Sequence, residues 1–352
     1  MRGAFRILQL YDAAEAIDLP AVRELLGTQT PARQPSFRHP APEYVRFERP
    51  PAIEVLNPVE IEGERFEARL RYFEFGVMGL ELQMRFEADW PELIRMSNRW
   101  VAAPGVERRA GEIVRERVTR LRAALVKPYA ELLSEDYCII QVEPESDAAT
   151  LLEKCGPAIA QIVRGELLPL SAAENREILQ SSISYYPNDL LVVGWMAAFL
   201  YDNEEGAAPV IQLLEHANTQ LLEFRYYDDL LTRVLADVYK MLEHRGGVFQ
   251  RWRMSREAER LNTIRLDITE LTERVDNSIK FLSDMFYARM FRMITDRVGG
   301  SDYRVLVDRK LRTAGDLYEF MTNEFHQARA FVLEFLVVMI LVIELVMLFR
   351  GK

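Results

Sequence analysis

Residues 65–87 read Arg-Phe-Glu-Ala-Arg-Leu-Arg-Tyr-Phe-Glu-Phe-Gly-Val-Met-Gly-Leu-Glu-Leu-Gln-Met-Arg-Phe-Glu. Phe66, Ala68, Leu70 and Tyr72 alternate with polar residues, and so do Leu80, Leu82, Met84 and Phe86. Period two is the signature of a strand with one face in the core and the other in wetter surroundings. Gly76 and Gly79 lie between the two runs, where a bend or bulge is expected. This stretch places a sheet in the N-terminal half.

Working outward, Phe5–Leu10 reads as a strand and Tyr137–Val142 as a buried one. Ala13–Gly27 reads as a helix, with Asp18 as cap, Pro20 in its first turn and Gly27 as stop. Pro31, Pro35, Pro40 and Pro42 mark a linker-like insert near residues 31–51. Helices are expected at Trp90–Val101, Val106–Leu125, Ala148–Val163 and Ala172–Gln180. Ser182–Tyr186 and Leu190–Leu200 read as strands joined by Pro187-Asn188-Asp189, residues that bond their own backbone. Runs of strands and runs of helices favour an α+β domain over residues 1–207.

From Ala208 onward the pattern is helical. Val210, Ala217, Phe224, Leu231 and Val238 recur every seven residues, beside Leu214, Leu221, Asp228, Leu235 and Leu242. Leu261, Ile268 and Val275, with Ile264 and Leu271, continue it, and Leu311, Tyr318 and Phe325 open a third segment. Apolar residues every 3.5 positions call for a partner helix. Gly246-Gly247 and Gly299-Gly300 allow the chain to turn back on itself. The expectation is a helical hairpin plus a third long helix, a stalk over residues 208–330. Phe224, Leu231, Leu235, Leu271 and Val275 would carry self-association, and Asp228 would fix register.

Phe331–Phe349 is apolar apart from Glu334 and Glu344, and Arg350 and Lys352 follow. At 1.5 Å per residue it spans roughly 28 Å, near the hydrocarbon thickness of a bilayer. Residues 331–349 are therefore expected to form a transmembrane helix anchored by Phe335, Ile340 and Ile343. Glu344 would snorkel toward the far side or meet a partner helix. That expectation puts the protein in a bacterial inner membrane, as a single pass with the N-terminal domain in the cytoplasm.

The 352 residues hold 44 Lys+Arg and 54 Asp+Glu, a formal charge of −10. Residues 133–207 hold 13 acids and 3 bases, a difference of −10, so the whole excess lies there. Nucleic acid is thus an unsuitable partner for that part, because phosphate binding needs clustered cations. The helix around residues 107–127 offers Arg108, Arg115 and Arg122 as a basic face, read either as a solvated surface or as an RNA- or headgroup-binding one. Two cysteines outside any CxxC pair suggest a reducing compartment, and Cys138, in an apolar run, reads as an inert buried thiol. There is no phosphate loop, GxGxxG or GxSxG, and the four His show no zinc spacing, so neither catalytic residues nor cofactor or metal ligands are assigned.

Several segments together resemble the required for meiotic nuclear division protein 1 family, defined by domain of unknown function 155. They are Phe5–Leu10 with Ala13–Leu19, Phe73-Glu74-Phe75-Gly76-Val77, Leu190–Trp195, Leu221–Asp228, and Leu333-Glu334 followed by an apolar helix with Ile343-Glu344. The resemblance implies a membrane-anchored α+β domain with a helical stalk, and it supplies no catalytic residues. The function expected is a non-enzymatic, membrane-anchored interaction or scaffold protein that self-associates through its stalk and holds a protein partner. The alternatives are a subunit of an oligomeric membrane channel or transporter, and a membrane tether for RNA or ribosome.

Overall fold

The computed structural model describes residues 1–27, 45–47, 50–243, 248–277, 279–281 and 285–350; side chains are described except at 45–47, 243, 248–255, 271–277, 279–281, 325–329, 331–332 and 348–350. In chain order the elements are β1 (Arg2–Ile17), α1 (Leu19–Leu26), β2 (Val45–Phe47), β3 (Ala52–Ile61), β4 (Glu64–Tyr72), β5 (Val77–Glu87), α2 (Trp90–Trp100), α3 (Pro104–Arg120), β6 (Leu125–Val142), α4 (Ala148–Arg164), α5 (Ala172–Leu179), β7 (Ser182–Ile183), β8 (Leu190–Val193), β9 (Ala197–Tyr201), α6 (Glu204–Glu243), α7 (Val248–Asn277), β10 (Ile279–Phe281), α8 (Met285–Arg297) and α9 (Gly300–Arg350). The class is α+β, a mixed sheet followed by helices.

Contacts divide the chain into two units. The first is 1–225 with 274–303, and the second is 226–273 with 304–352.

The first unit is built on an eight-stranded sheet in the order β3-β4-β5-β1-β6-β9-β8-β7, antiparallel except for the β6–β9 pair. β1 sits near the middle, pairing with β5 through Phe5↔Met84 and Ile7↔Leu82 and with β6 through Phe5↔Ile140. Alternation then sorts the side chains. Phe5, Ile7, Phe66, Leu70, Leu80, Leu82, Cys138, Ile140 and Phe199 form one apolar core together with residues of α1 to α4. Leu8, Tyr137, Ile139, Leu191 and Leu200 face the other way, packing with Val210, Leu214 and Ala217 of α6 and with Met290 and Ile294 of α8.

Local chemistry explains the element ends. Asp18 accepts from the Ala21 backbone N–H, and Gly27 closes α1 in the left-handed region at φ 64. Asp89 and Glu92 form a reciprocal capping box at α2. Gly76 turns at φ 105, with its Cα so close to the Ala14 carbonyl that a Cβ would lie 1.8 Å from that oxygen.

Three expectations change. The strand from Phe5 runs on to Ile17, so the helix begins at Leu19 rather than Ala13, because Ala14, Ala16 and Ile17 find ladder partners on β6. Leu190–Leu200 is a hairpin, not one strand, turning at Gly194 where a Cβ would come 2.4 Å from the Val163 side chain. The face opposite the apolar core is dry where α6 covers it, with Arg6, Glu81 and Gln83 all buried. Most of the insert near 31–51 lies outside the described residues.

The second unit is helical. Leu235 and Val238 of α6, Ala258 and Leu261 of α7, and Ala314 and Met321 of α9 share one core. Asp228 interrupts the apolar ladder of α6, and Lys310 of α9 answers it. The Lys310 ammonium lies 2.6 Å from Asp228 Oδ1 and also donates to the Asp228 carbonyl and the Thr232 hydroxyl.

The transmembrane helix expected at 331–349 is overturned. Among the described residues no helix is long and apolar enough to cross a membrane. The side chains described in that stretch are those of residues 333–347, which rise roughly 22 Å, short of the hydrocarbon thickness. The expected single-pass anchor in a bacterial inner membrane falls with it. Phe335, Ile340, Ile343 and Glu344 instead lie exposed on the last turns of α9.

Candidate functional site

The polar face of the sheet beneath α6 holds the densest set of ionisable groups in the first unit. β1 contributes Arg6 and Asp12, β4 contributes Arg71, and β5 contributes Glu81 and Gln83, all placed on this side by strand alternation. α6 brings Glu215, His216, Asn218, Thr219, Gln220 and Glu223 against it, each of them buried.

Glu81 bridges two arginines. Its Oε1 accepts from Arg6 Nη1 at 2.6 Å and its Oε2 from Arg71 Nη2 at 2.8 Å. Arg6 also donates to Gln83 at 2.7 Å, and Arg71 reaches across to Glu215 Oε2 on α6 at 2.5 Å. Two cations and two anions therefore form a closed set that ties β1, β4 and β5 to α6. Burial alone would raise the Glu81 carboxyl, but Arg71 and Arg6 outweigh it and hold Glu81 below its ordinary value. At Glu215 burial wins and the carboxyl is raised in spite of Arg71. The difference follows from partner number, since Glu81 has two guanidinium partners and Glu215 has one. Gly79 makes room for this packing, because a Cβ there would lie 3.2 Å from Glu215 Oε1.

Asp12 is different in kind. It is 1% exposed, and among the described residues neither carboxylate oxygen has a hydrogen-bond partner. Burial and the neighbouring Glu223 raise it well above the ordinary carboxylate range, so the protonated form is favoured. His216, packed against Phe75 and Phe291, is pushed down to about 3 by burial and is neutral. These groups are all buried, and the arrangement ties α6 to the sheet. Among the described residues no group of three or more His, Cys, Asp or Glu could hold a metal ion.

The residues singled out from sequence lie elsewhere. Phe224 is buried in the first unit, and Leu231 and Leu235 in the second. The side chains of Leu271 and Val275 lie outside the described residues. Phe335, Ile340, Ile343 and Glu344 are exposed on α9, and Arg108, Arg115 and Arg122 are exposed on and just after α3. Neighbouring cations on that helix are engaged, Arg109 with Glu112 and Arg117 with Glu54 and Glu116. Cys138 is fully buried, and burial raises its thiol, as its apolar surroundings suggest. Arg108, Arg115, Arg122 and Phe224 belong to the first unit, and Leu231, Leu235 and the end of α9 to the second. Sequence reasoning missed the Arg6–Glu81–Arg71–Glu215 set. Its signal was present: charges of both signs at alternate strand positions, matched by the polar cluster Glu215, His216, Asn218, Thr219 and Gln220 around the apolar Ala217 of α6.

The family described as "Uncharacterized protein MJ0711, N-terminal domain" matches residues 2–208. The chain belongs to that family. Uncharacterized protein MJ0711 of Methanocaldococcus jannaschii is 19% identical over 223 residues, 63% of this chain and 68% of that protein. No solved structure matches. The family region covers the whole sheet and stops within the first turns of α6, so Asp12, Arg6, Arg71 and Glu81 fall inside it and Glu215 and Glu223 just beyond.

Proposed function

We propose that the chain is a non-enzymatic interaction protein that self-associates, distantly related to the required for meiotic nuclear division protein 1 family. One observation carries the reading. From Leu333 to Met347, α9 presents thirteen large apolar side chains, Glu334 and Glu344 being the two exceptions, and all thirteen are exposed. Their apolar character is not a stripe; it runs around the helix. A stripe needs one neighbour, whereas a helix apolar on all sides must be surrounded. Exposed apolar surface of this extent marks an association site. A second copy of the chain is the occupant that supplies an identical apolar helix. The shared core of Leu235, Leu261, Ala314 and Met321 supports this assignment, because it engages the heptad faces within the chain and leaves the end of α9 as the surface for association.

Sedimentation equilibrium of the full chain tests it. The chain should sediment as an oligomer, and Leu336→Asp with Ile340→Asp should dissociate it by at least about tenfold in Kd while leaving far-UV circular dichroism unchanged, tenfold being about 1.4 kcal/mol. A monomeric parent, or a variant that keeps its mass, would overturn the reading.

A second reading, tethering of RNA, rests on the exposed Arg108, Arg115 and Arg122, spaced by seven residues and without a carboxylate partner among the described residues. Salt-sensitive RNA crosslinking that is lost when all three are changed to Gln would favour it.

A further inference from the structure

A second feature of the first unit faces solvent. Where β7 and β8 meet the first turns of α6 and the start of α8, a cleft of about 40 Å³ opens between Tyr185, Tyr186, Phe286 and Tyr287. The rings pack edge to face: Tyr185 on Tyr186 at 4.9 Å, Tyr185 on Phe286 at 4.8 Å and Phe286 on Tyr287 at 5.6 Å between centroids. Tyr185 is 52% exposed, so its ring stands at the mouth.

The turn that presents the tyrosines is held rigidly. Asp189 accepts from the Tyr185 N–H at 2.7 Å and the Tyr186 N–H at 3.0 Å, and the Ser184 hydroxyl donates to the Tyr186 carbonyl at 2.7 Å. These are the self-bonding turn residues that Pro187-Asn188-Asp189 announced. Asp189 and Asp202 both line the cleft, and among the described residues no Lys or Arg does. Tyr185, Tyr186 and both carboxylates of the cleft belong to residues 133–207, which carry the entire charge excess of −10, whereas Phe286 and Tyr287 come from α8.

Each ring keeps a negative face beyond the edge-to-face contacts, and Asp189 and Asp202, which already accept from backbone N–H groups, add a field of the same sign. An apolar gap would favour a neutral ligand, and a carboxylate pair alone would favour a metal or a bare ammonium. Both together favour a cation that is charged but poorly hydrated, and an alkylated ammonium has that property. The structure already sets one cation against these rings: the Arg289 guanidinium carbon lies 5.8 Å from the Phe286 centroid. We infer that this cleft is a binding site for an alkylated ammonium group, carried by a small amine or by a methylated lysine side chain.

The test is isothermal titration calorimetry on the full chain with tetramethylammonium, with its neutral isostere 3,3-dimethyl-1-butanol, and with a trimethyllysine peptide beside its unmodified form. Tetramethylammonium should bind and the neutral isostere should not. Tyr185→Leu should weaken binding roughly five- to thirty-fold, whereas Tyr185→Phe, which keeps the ring face, should stay within about threefold. A trimethyllysine peptide that binds more tightly than tetramethylammonium assigns a protein ligand. The reverse order assigns a free amine, and either supports the site. Equal binding of the neutral isostere, no binding of tetramethylammonium up to about 50 mM, well above the weakest standard-state affinity of interest, or an unaffected Tyr185→Leu would overturn it. Because Tyr185 is half exposed, circular dichroism of that variant should match the parent.

Discussion

The two faces of the central sheet solve the same problem by opposite means. Toward α1–α4, Phe5, Ile7, Leu80, Leu82 and Ile140 make an apolar layer with many interchangeable contacts. Toward α6, Arg6, Arg71, Glu81 and Glu215 make a small set in which each member has assigned partners. The apolar face is stabilised by area removed from water, which is non-directional. The charged face contributes little net stability, because desolvation offsets the Coulomb attraction, but by assigning each charge a partner it favours one register of α6 on the sheet. Bulk burial thus holds the domain together, and the ion set decides where the helix that enters the second unit must lie on the sheet.

The comparison can be broken by single substitutions. Arg71→Leu leaves Glu81 with one partner and Glu215 with none, and should cost about 3–5 kcal/mol in urea unfolding. Leu82→Met on the opposite face should cost under about 1.5 kcal/mol. Equal costs would end the distinction. Replacing Arg6, Arg71, Glu81 and Glu215 together by Met and Leu should recover most of the loss. Amide exchange along the first turns of α6 should nevertheless become faster if register is what the set supplies.

A smaller effect appears with pH. His216 is held neutral down to about 3, against 6.5 in the unfolded chain, so the unfolded state takes up its proton first. Stability from this group is present above pH 6.5 and is lost as pH falls, by about 2 kcal/mol at pH 5. His216→Leu should flatten that limb of a stability-against-pH curve. Asp12 acts with the opposite sign. Its carboxyl is raised, so the native state keeps a proton that the unfolded state releases, and stability falls as pH rises from the ordinary carboxylate range through the native value. Asp12→Asn should remove that decline. The smallest expected change is in the second unit: Lys310→Met, opposite the partly exposed Asp228, should cost at most about 1 kcal/mol by thermal melting.

Much of the fold was legible in residues 65–87 and in the heptads after Ala208, because periodicity reports a face and a face reports an element. The caps were equally legible: Asp18 and Gly27 bound α1 as their side chains dictate. The start of α1 was misplaced because Ala13–Ile17 carry no β-branched run, and only pairing with β6 makes them a strand. The mean apolarity of the tail suggests a bilayer span, whereas among the described residues no helix is long and apolar enough to cross a membrane. The aromatic cleft was half visible. The turn at Pro187–Asp189 could be named, but Phe286 and Tyr287 are about a hundred residues away in sequence, and no local pattern links them.

What the sequence by itself determined is the set of elements and the apolar face of each, since both depend on neighbours two to seven residues away. Tertiary structure alone decided which polar residues would be buried. Arg6, Arg71 and Glu81 look like the solvated side of a sheet until α6 is laid over them, and Glu215 looks like an ordinary helix surface until Arg71 meets it. A charge states only its own sign; its partner, and therefore its role, is chosen by residues far away along the chain.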